Sequence, residues 1–408
     1  MKEMDINEQI ECLMQGTEYG DEGLKQAMAD DLRERLIEAQ EEVRPLRVYC
    51  GFDPTTSDLH LGHTVPMRKL RQFQELGHQV IFLVGTFTSM IGDPSDKDKL
   101  RPQLTPEQVQ FNARTYAEQS YKVLDREKTQ VRYNSEWLSG LTFEELIRLA
   151  SNFTIQQFME RDNFRQRWEK GDPIYLHETF YAIMQGYDAY SLKADVQVGG
   201  TDQLFNIVTA ARKLMPSLGA KPNVGIILGI LPGTDGEVKM SKSLGNHIPI
   251  MSSPEDMYGK VMSVPDIAMG QYFRLVTRWT PEEIAEIEMG LAEGRLHPRD
   301  VKMKLAREIV SIFISEEDAV KAEAAFVRVF QHKELPEEMA VYRLSSGQTV
   351  LDVLVDGKLV NSRGEARRLI AQNGVRLDGE TLSDALQEFP HPGVLRVGKR
   401  RFLKVVSD

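Results

Sequence analysis

The chain has 408 residues, 41% of them hydrophobic, and carries 50 Lys and Arg against 61 Asp and Glu, a net charge of −11. That supports two or three globular domains and excludes a polyanion binder that works by overall charge, so any nucleic-acid contact has to come from a local basic patch. Two Cys exclude a disulfide framework, no apolar run approaches the roughly 20 residues of a membrane span, and the opening Met-Lys-Glu-Met-Asp lacks signal-peptide order, so a cytoplasmic location is expected.

Residues 1–45 read as a polar helical lead-in with Leu24, Met28, Leu32 and Leu36 on one face. From residue 46 apolar runs of strand length, at 46–52, 79–85, 130–134, 194–198 and 224–229, alternate with helical patterns at 63–76, 106–124, through 141–192 and at 203–215. This alternation predicts an α/β fold, a doubly wound parallel sheet of Rossmann type with ligands at the carboxyl ends of the strands. Glycine-rich strand ends at Gly85 and Gly199-Gly200 then open on one side.

Amphipathic patterns near 254–262, 268–277, 281–293, 297–314 and 317–331 predict an all-α domain. The last sixty residues read as a small α+β unit, with strands at 375–377, 394–397 and 401–406 and a helix opened by Ser362-Arg363-Gly364-Glu365 in capping-box form. The expected division is 1–235, 236–335, a linker at 336–346, and 347–408. Residues 347–408 hold 10 Lys and Arg against 8 Asp and Glu, or +2, which leaves −13 for residues 1–346.

Two segments carry chemistry. The turn Gly51-Phe52-Asp53-Pro54-Thr55-Thr56-Ser57-Asp58-Leu59-His60-Leu61-Gly62-His63 joins the first strand to the helix after it. A helix N-terminus offers N–H groups and positive dipole to phosphate, Gly62 lacks a Cβ that would hold a nucleotide off, and His60 and His63 can donate to phosphate oxygens. Two His three apart are also half a metal site, but with only Cys12 and Cys50 as thiols the phosphate reading ranks first. Far downstream, Asp235-Gly236-Glu237-Val238-Lys239-Met240-Ser241-Lys242-Ser243 places two lysines three apart in a loop, mobile point charges suited to a departing phosphate.

His-x-Gly-His after a first strand, followed at this distance by Lys-Met-Ser-Lys-Ser, resembles the class I aminoacyl-tRNA synthetases. Tyr49-Cys50-Gly51-Phe52-Asp53, Gly92-Asp93-Pro94-Ser95, Tyr181-Ala182-Ile183-Met184-Gln185-Gly186-Tyr187-Asp188 and Gly199-Gly200-Thr201-Asp202-Gln203 resemble the amino-acid pocket motifs of the bacterial tyrosyl-tRNA synthetases, and the resemblance extends over nearly the whole chain. Thr201 stands where Ser is frequent in that family, and Leu-Gly-Asn-His after the lysine loop points to a second bacterial subgroup.

The resemblance implies two steps: tyrosine and ATP give tyrosyl-adenylate and pyrophosphate, and the tyrosyl group then passes to the terminal ribose of tRNA(Tyr). It implies that Tyr49 and Asp188 hydrogen-bond the substrate phenol, that Asp93, Tyr181 and Gln185 surround its ammonium, and that Gln203 lies near its carboxylate. Tyr181, Gln185 and Asp188 at i, i+4 and i+7 share one helix face, which fits a single pocket. A pocket built around a hydroxyl also rejects phenylalanine, as is established for this enzyme family, so no editing domain is expected.

His60, Thr55, Lys239 and Lys242 are implied at the phosphates and His63 and Cys50 at the nucleotide and its ribose, with Gly51, Asp53 and Gly62 completing the ATP site. Lys97 and Arg101 form a further basic loop that reaches the pyrophosphate or is simply solvated. Mg²⁺ is expected to arrive with ATP, with no all-protein metal site and no organic prosthetic group. The helical domain is implied at the anticodon, Arg363, Arg367, Arg368, Lys399, Arg400 and Arg401 at RNA phosphates, and 142–175 at a homodimer interface.

Three rivals share parts of this pattern: the related synthetase for tryptophan, a nucleotidyltransferase with His-x-Gly-His, and a synthetase-like RNA-binding protein without the chemistry. Tyr49 with Asp188 favours a phenol over an indole, and the retained His60, His63, Lys239 and Lys242 argue for an enzyme.

Overall fold

Arg47–Phe52 (β1) lies at the centre of a five-stranded sheet, and Val48, Tyr49 and Cys50 are buried on it because both sheet faces are covered. Gln79–Val84 (β2), Thr129–Tyr133 (β3), Val196–Gly200 (β4) and Val224–Leu228 (β5) complete it in the order β3-β2-β1-β4-β5, every pair parallel. The chain runs outward through β2 and β3 and returns to the other side of β1 for β4, where Tyr49 pairs with Gln197. That reversal opens a crevice at the carboxyl ends of β1 and β4. The computed structural model describes residues 4–54, 58–94, 105–330, 339–345, 347–360, 362–398 and 401–407, so Thr55, Lys97, Arg101, Lys399 and Arg400 lie outside the described residues. It divides into two compact units, Met1–Ala319 and Val320–Asp408.

In the first unit the lead-in is two helices, Ile6–Met14 (α1) and Glu22–Glu41 (α2), with Met28, Leu32 and Leu36 buried as the spacing predicted. Leu61–Glu75 (α3) begins directly after His60, slightly earlier than the sequence pattern indicated. The reason is local: His60 is the N-cap, and its backbone N–H donates to His63 Nδ1 at 3.2 Å. Pro106–Ser120 (α4) covers the sheet after β2, and four short helices follow β3: Ser135–Leu138 (α5), Phe143–Ala150 (α6), Ile155–Met159 (α7) and Asp162–Lys170 (α8).

Leu176–Ser191 (α9) buries Tyr181, Met184 and Asp188. The single helix expected over 203–215 is instead a 3₁₀ turn at Thr201–Gln203, a π segment at Phe205–Ala211 and Arg212–Ser217 (α10). A π segment of this kind re-aims side chains beside functional sites. Pro254–Met262 (α11), Met269–Val276 (α12), Pro281–Ala292 (α13) and Pro298–Phe313 (α14) then follow, and Glu316–Phe330 (α15) runs from the first unit into the second.

In the second unit the sheet order is β6-β10-β9-β7-β8, built from Ala340–Leu344 (β6), Val375–Leu377 (β7), Glu380–Thr381 (β8), Gly393–Val397 (β9) and Arg401–Ser407 (β10). Val350–Asp356 (α16) and Arg363–Ala371 (α17) pack on it through Val353, Leu354, Ala366 and Ile370. The expected linker 336–346 thus contains a strand, β6, paired in parallel with β10, because exposed residues with β-forming side chains look like linker until a partner strand is known. Ser362 caps α17 by accepting the Glu365 N–H at 3.2 Å, whereas the Glu365 carboxylate accepts Arg401 at 2.9 Å. Arg363, Arg367 and Arg368 are exposed.

Candidate active site

The carboxyl ends of β1 and β4, the start of α3, one face of α9 and the lysine loop enclose a cavity of about 860 Å³. Every described residue assigned above to amino acid or ATP lines it: Tyr49, Cys50, Gly51, Asp53, His60, Gly62, His63, Asp93, Tyr181, Gln185, Asp188, Gln203, Lys239 and Lys242. Gly85, Gly199 and Gly200 line the same cavity, as the strand order requires.

One end is a buried polar cluster. Asp188 is only 3% exposed, and its carboxylate accepts Trp137 Nε1 at 2.7 Å and Asn134 Nδ2 at 3.3 Å. Burial pushes its pKa up to about 8 against those two hydrogen bonds. Tyr49 is wholly buried beside it, its hydroxyl donating to the Gln185 carbonyl at 3.4 Å, and burial with the nearby Asp188 holds that phenol well above its ordinary range. Around neutral pH this end therefore presents a neutral phenol and a carboxyl that ionises only reluctantly.

The next layer is a chain of side-chain hydrogen bonds through amides and carboxylates. Tyr181 OH donates to Asp53 Oδ2 at 3.0 Å, and Thr88 Oγ1 to Asp53 Oδ1 at 2.7 Å. Gln203 Nε2 donates to Asp93 at 2.7 Å, while Asn206 Nδ2 donates to Gln203 Oε1 at 2.9 Å and to Gln185 Oε1 at 3.0 Å. Asp53, placed with ATP in the sequence reading, lines the cavity and accepts the Tyr181 hydroxyl. The approach is tight, since a Cβ on Gly85 would stand 2.0 Å from Asp53 Oδ1.

The other end is made of loops and cations. The His60 and His63 rings lie with centroids 3.8 Å apart, tilted by 38° to one another, and His247 meets His60 edge-on at 6.1 Å. Burial first, then His63, His247 and the two lysines, push the His60 pKa far down, so the imidazole is held neutral. A Cβ on Gly62 would lie 3.1 Å from the His60 ring, so the glycine makes room for His60 itself. Cys50 is buried and its thiol is pushed up, which removes it as a nucleophile.

Lys239 pairs with Asp202 at 2.8 Å and Lys242 with Asp58 at 3.0 Å. Distant backbone contacts bring the loop here: Leu61 N–H donates to Ile248 O at 3.0 Å and Ile250 N–H to Leu59 O at 3.1 Å, clipping the chain beyond the loop to the turn that carries His60. Among the described residues no group of three or more His, Cys, Asp or Glu is arranged to hold a metal ion.

Sequence reasoning missed Asn134, Trp137, Thr88 and Asn206 near the phenol end and Asp58, Asp202 and His247 near the cations. Asn134 and Trp137 directly follow β3, a position on the ligand side of the sheet that offered a weak signal. Asp58, Asp202 and His247 lie inside the segments quoted above without a role of their own, and Thr88 and Asn206 carry no signal.

The family model for class I tRNA synthetases (W and Y) matches residues 41–331. A tyrosine–tRNA ligase of Moorella thermoacetica is 49% identical over 379 residues, covering 92% of this chain and 92% of that protein. One of Haemophilus influenzae is 46% identical over 402 residues, 98% and 97% of the two chains. Among solved structures, a C-terminally truncated Aspergillus nidulans mitochondrial tyrosyl-tRNA synthetase matches with a TM-score of 0.62 at 23% identity, over 81% of this chain and 95% of that one, a likeness of fold.

Proposed function

The chain belongs to the class I tRNA synthetases of the tryptophan and tyrosine group and has the activity of a tyrosine–tRNA ligase, and from that premise we propose how its residues divide the work. The observation that carries the division is the single cavity, with a buried phenol-and-carboxyl end and a cationic end facing one another.

Tyrosine enters with its hydroxyl between Tyr49 and Asp188, its ammonium at Asp93, Tyr181 and Gln185, and its carboxylate near Gln203. ATP lies over Cys50, Gly51 and Gly62, with His63 toward the ribose. The carboxylate oxygen attacks the α-phosphorus, the bond from that phosphorus to the bridging oxygen of pyrophosphate breaks, and the pyrophosphate leaves with the electron pair. No protein base is needed, because the nucleophile is already an anion. The protein supplies alignment and charge stabilisation, the second from Lys239 and Lys242 with neutral His60 as a donor. Thr55 joins them in this proposal. Mg²⁺ enters as part of the ATP substrate and offsets phosphate charge.

In the second step a hydroxyl of the terminal tRNA ribose attacks the adenylate carbonyl and AMP departs. The helical region 254–330 and the exposed Arg363, Arg367 and Arg368 of α17 are proposed as RNA contacts, with Lys399 and Arg400 beside them. A homodimer through 142–175 is supported by Phe143, Ile147, Ile155 and Trp168, which expose 78%, 56%, 59% and 71% of their surface there. Among the described residues no helix is long and apolar enough to cross a membrane, and a cytoplasmic location is proposed.

His60→Ala tests the division. Tyrosine-dependent exchange of pyrophosphate into ATP is expected to collapse while tRNA(Tyr) binding persists; an unchanged exchange rate overturns the phosphate role given to His60.

A further inference from the structure

Asp58 belongs to none of the assignments above, yet it holds one of the two signature lysines. Lys242 Nζ lies 3.0 Å from Asp58 Oδ2, with side chains 40% and 48% exposed. Asp58 is joined to the cationic end through Lys242, which lines the cavity, and stands two residues before His60 in the chain leading into α3.

The loop bearing Lys242 is tied before and after the lysine. Gly233 N–H donates to Val238 O at 2.8 Å, Met240 N–H to Leu231 O at 3.0 Å, and Ser241 N–H to Asn246 Oδ1 at 2.7 Å. Beyond it, the pairing of Ile248 and Ile250 with Leu59 and Leu61 keeps Lys242 and Asp58 on adjoining segments. These bonds fix the chain on either side of Lys242 and bring its ammonium to Asp58, whose place an arriving anion can take.

We propose that Asp58 is a positioning residue that parks Lys242 at the mouth of the phosphate site, and that ATP binds by taking Lys242 from it. The inference rests on the reading of Lys242 as a phosphate ligand. An ion pair exposed on both sides is weak, which suits a latch: it keeps a flexible ammonium close to where it is needed and yields to a triphosphate carrying several negative charges. A strong, buried pair would instead oppose binding. A carboxylate in this position also repels ATP directly, and the experiment has to separate the two effects.

The KM for ATP in tyrosine-dependent pyrophosphate exchange, and the dissociation constant of a non-cleavable ATP analogue, are measured for wild type, Asp58→Asn, Asp58→Glu, Lys242→Met and the double variant Asp58→Asn with Lys242→Met. Releasing the latch is expected to lower both constants by about 1.5- to 5-fold, the range an exposed pair supports. The KM for tyrosine, kcat and the melting temperature hold, and Asp58→Glu behaves as wild type. In the Lys242→Met background Asp58→Asn changes nothing. A drop that persists without Lys242 identifies direct repulsion and overturns the proposal, as does an unchanged or raised ATP constant. If Lys242→Met leaves the exchange rate at wild type, it is the phosphate role of Lys242 that has failed, and the inference falls with it.

Discussion

The two ends of the cavity are built on opposite principles. At the phenol end the polar groups are buried or half-buried on the sheet, α5, α9 and the π segment, and are held inside the protein, as Trp137 and Asn134 hold Asp188 and the Gln185 carbonyl holds Tyr49. At the phosphate end the charges ride on long, partly exposed side chains whose carboxylate partners are Asp58 and Asp202. On the proposed roles, the difference follows from what each end must do. Selecting a hydroxyl calls for donors and acceptors fixed before the substrate arrives, since an unmatched buried group is costly. Following charge from the α-phosphorus to a departing pyrophosphate calls for cations that can change partners.

If the ends are separable in this way, substitutions should separate them kinetically. The largest effect is expected from Lys242→Ala: the rate of adenylate formation drops ~10²–10³-fold in single-turnover measurements, a typical cost of losing one transition-state donor, while the KM for tyrosine holds. A parallel rise in that KM would break the comparison. Trp137→Phe acts on the other end by leaving Asp188 without its shortest hydrogen bond. The KM for tyrosine should rise about 5- to 30-fold, the cost of one buried unmatched acceptor, with the KM for ATP unaffected.

The smallest effect sharpens the comparison through pH. The Asp188 carboxyl titrates near 3.9 in an unfolded chain and is pushed up to about 8 here. Between those values the folded protein keeps a proton that the unfolded chain has released, so this carboxyl favours folding fully below the lower value and loses that contribution as the pH rises through about 8. The melting temperature of the ligand-free protein should therefore fall between pH 6 and pH 9, and Asp188→Asn should flatten that slope. A slope the substitution leaves intact would place the titration elsewhere.

The pattern of what the sequence made legible follows the same physics. Strands β1, β2 and β5 announce themselves because buried parallel strands are largely apolar runs, and Tyr181, Gln185 and Asp188 can be grouped because helical spacing is a local property. The convergence of His60 with Lys242 was readable only through the pairing of two motifs. The support around them was not: Asn134 reaches Asp188 across 54 positions and Lys242 reaches Asp58 across 184, distances over which local pattern carries no information. The π segment over Phe205–Ala211 escaped notice because its side-chain pattern differs too little from that of an α-helix. Strand β6 was read as linker because its partner β10 lies at the far end of the chain.

The most direct test is a crystal structure of the protein with tyrosine and a non-cleavable ATP analogue bound together. The account predicts the phenolic oxygen within hydrogen-bond distance of both the Tyr49 hydroxyl and the Asp188 carboxyl, and the triphosphate in contact with His60 and with a Lys242 that has left Asp58. A tyrosine ring bound away from Asp188, or phosphates that touch neither signature segment, would contradict it.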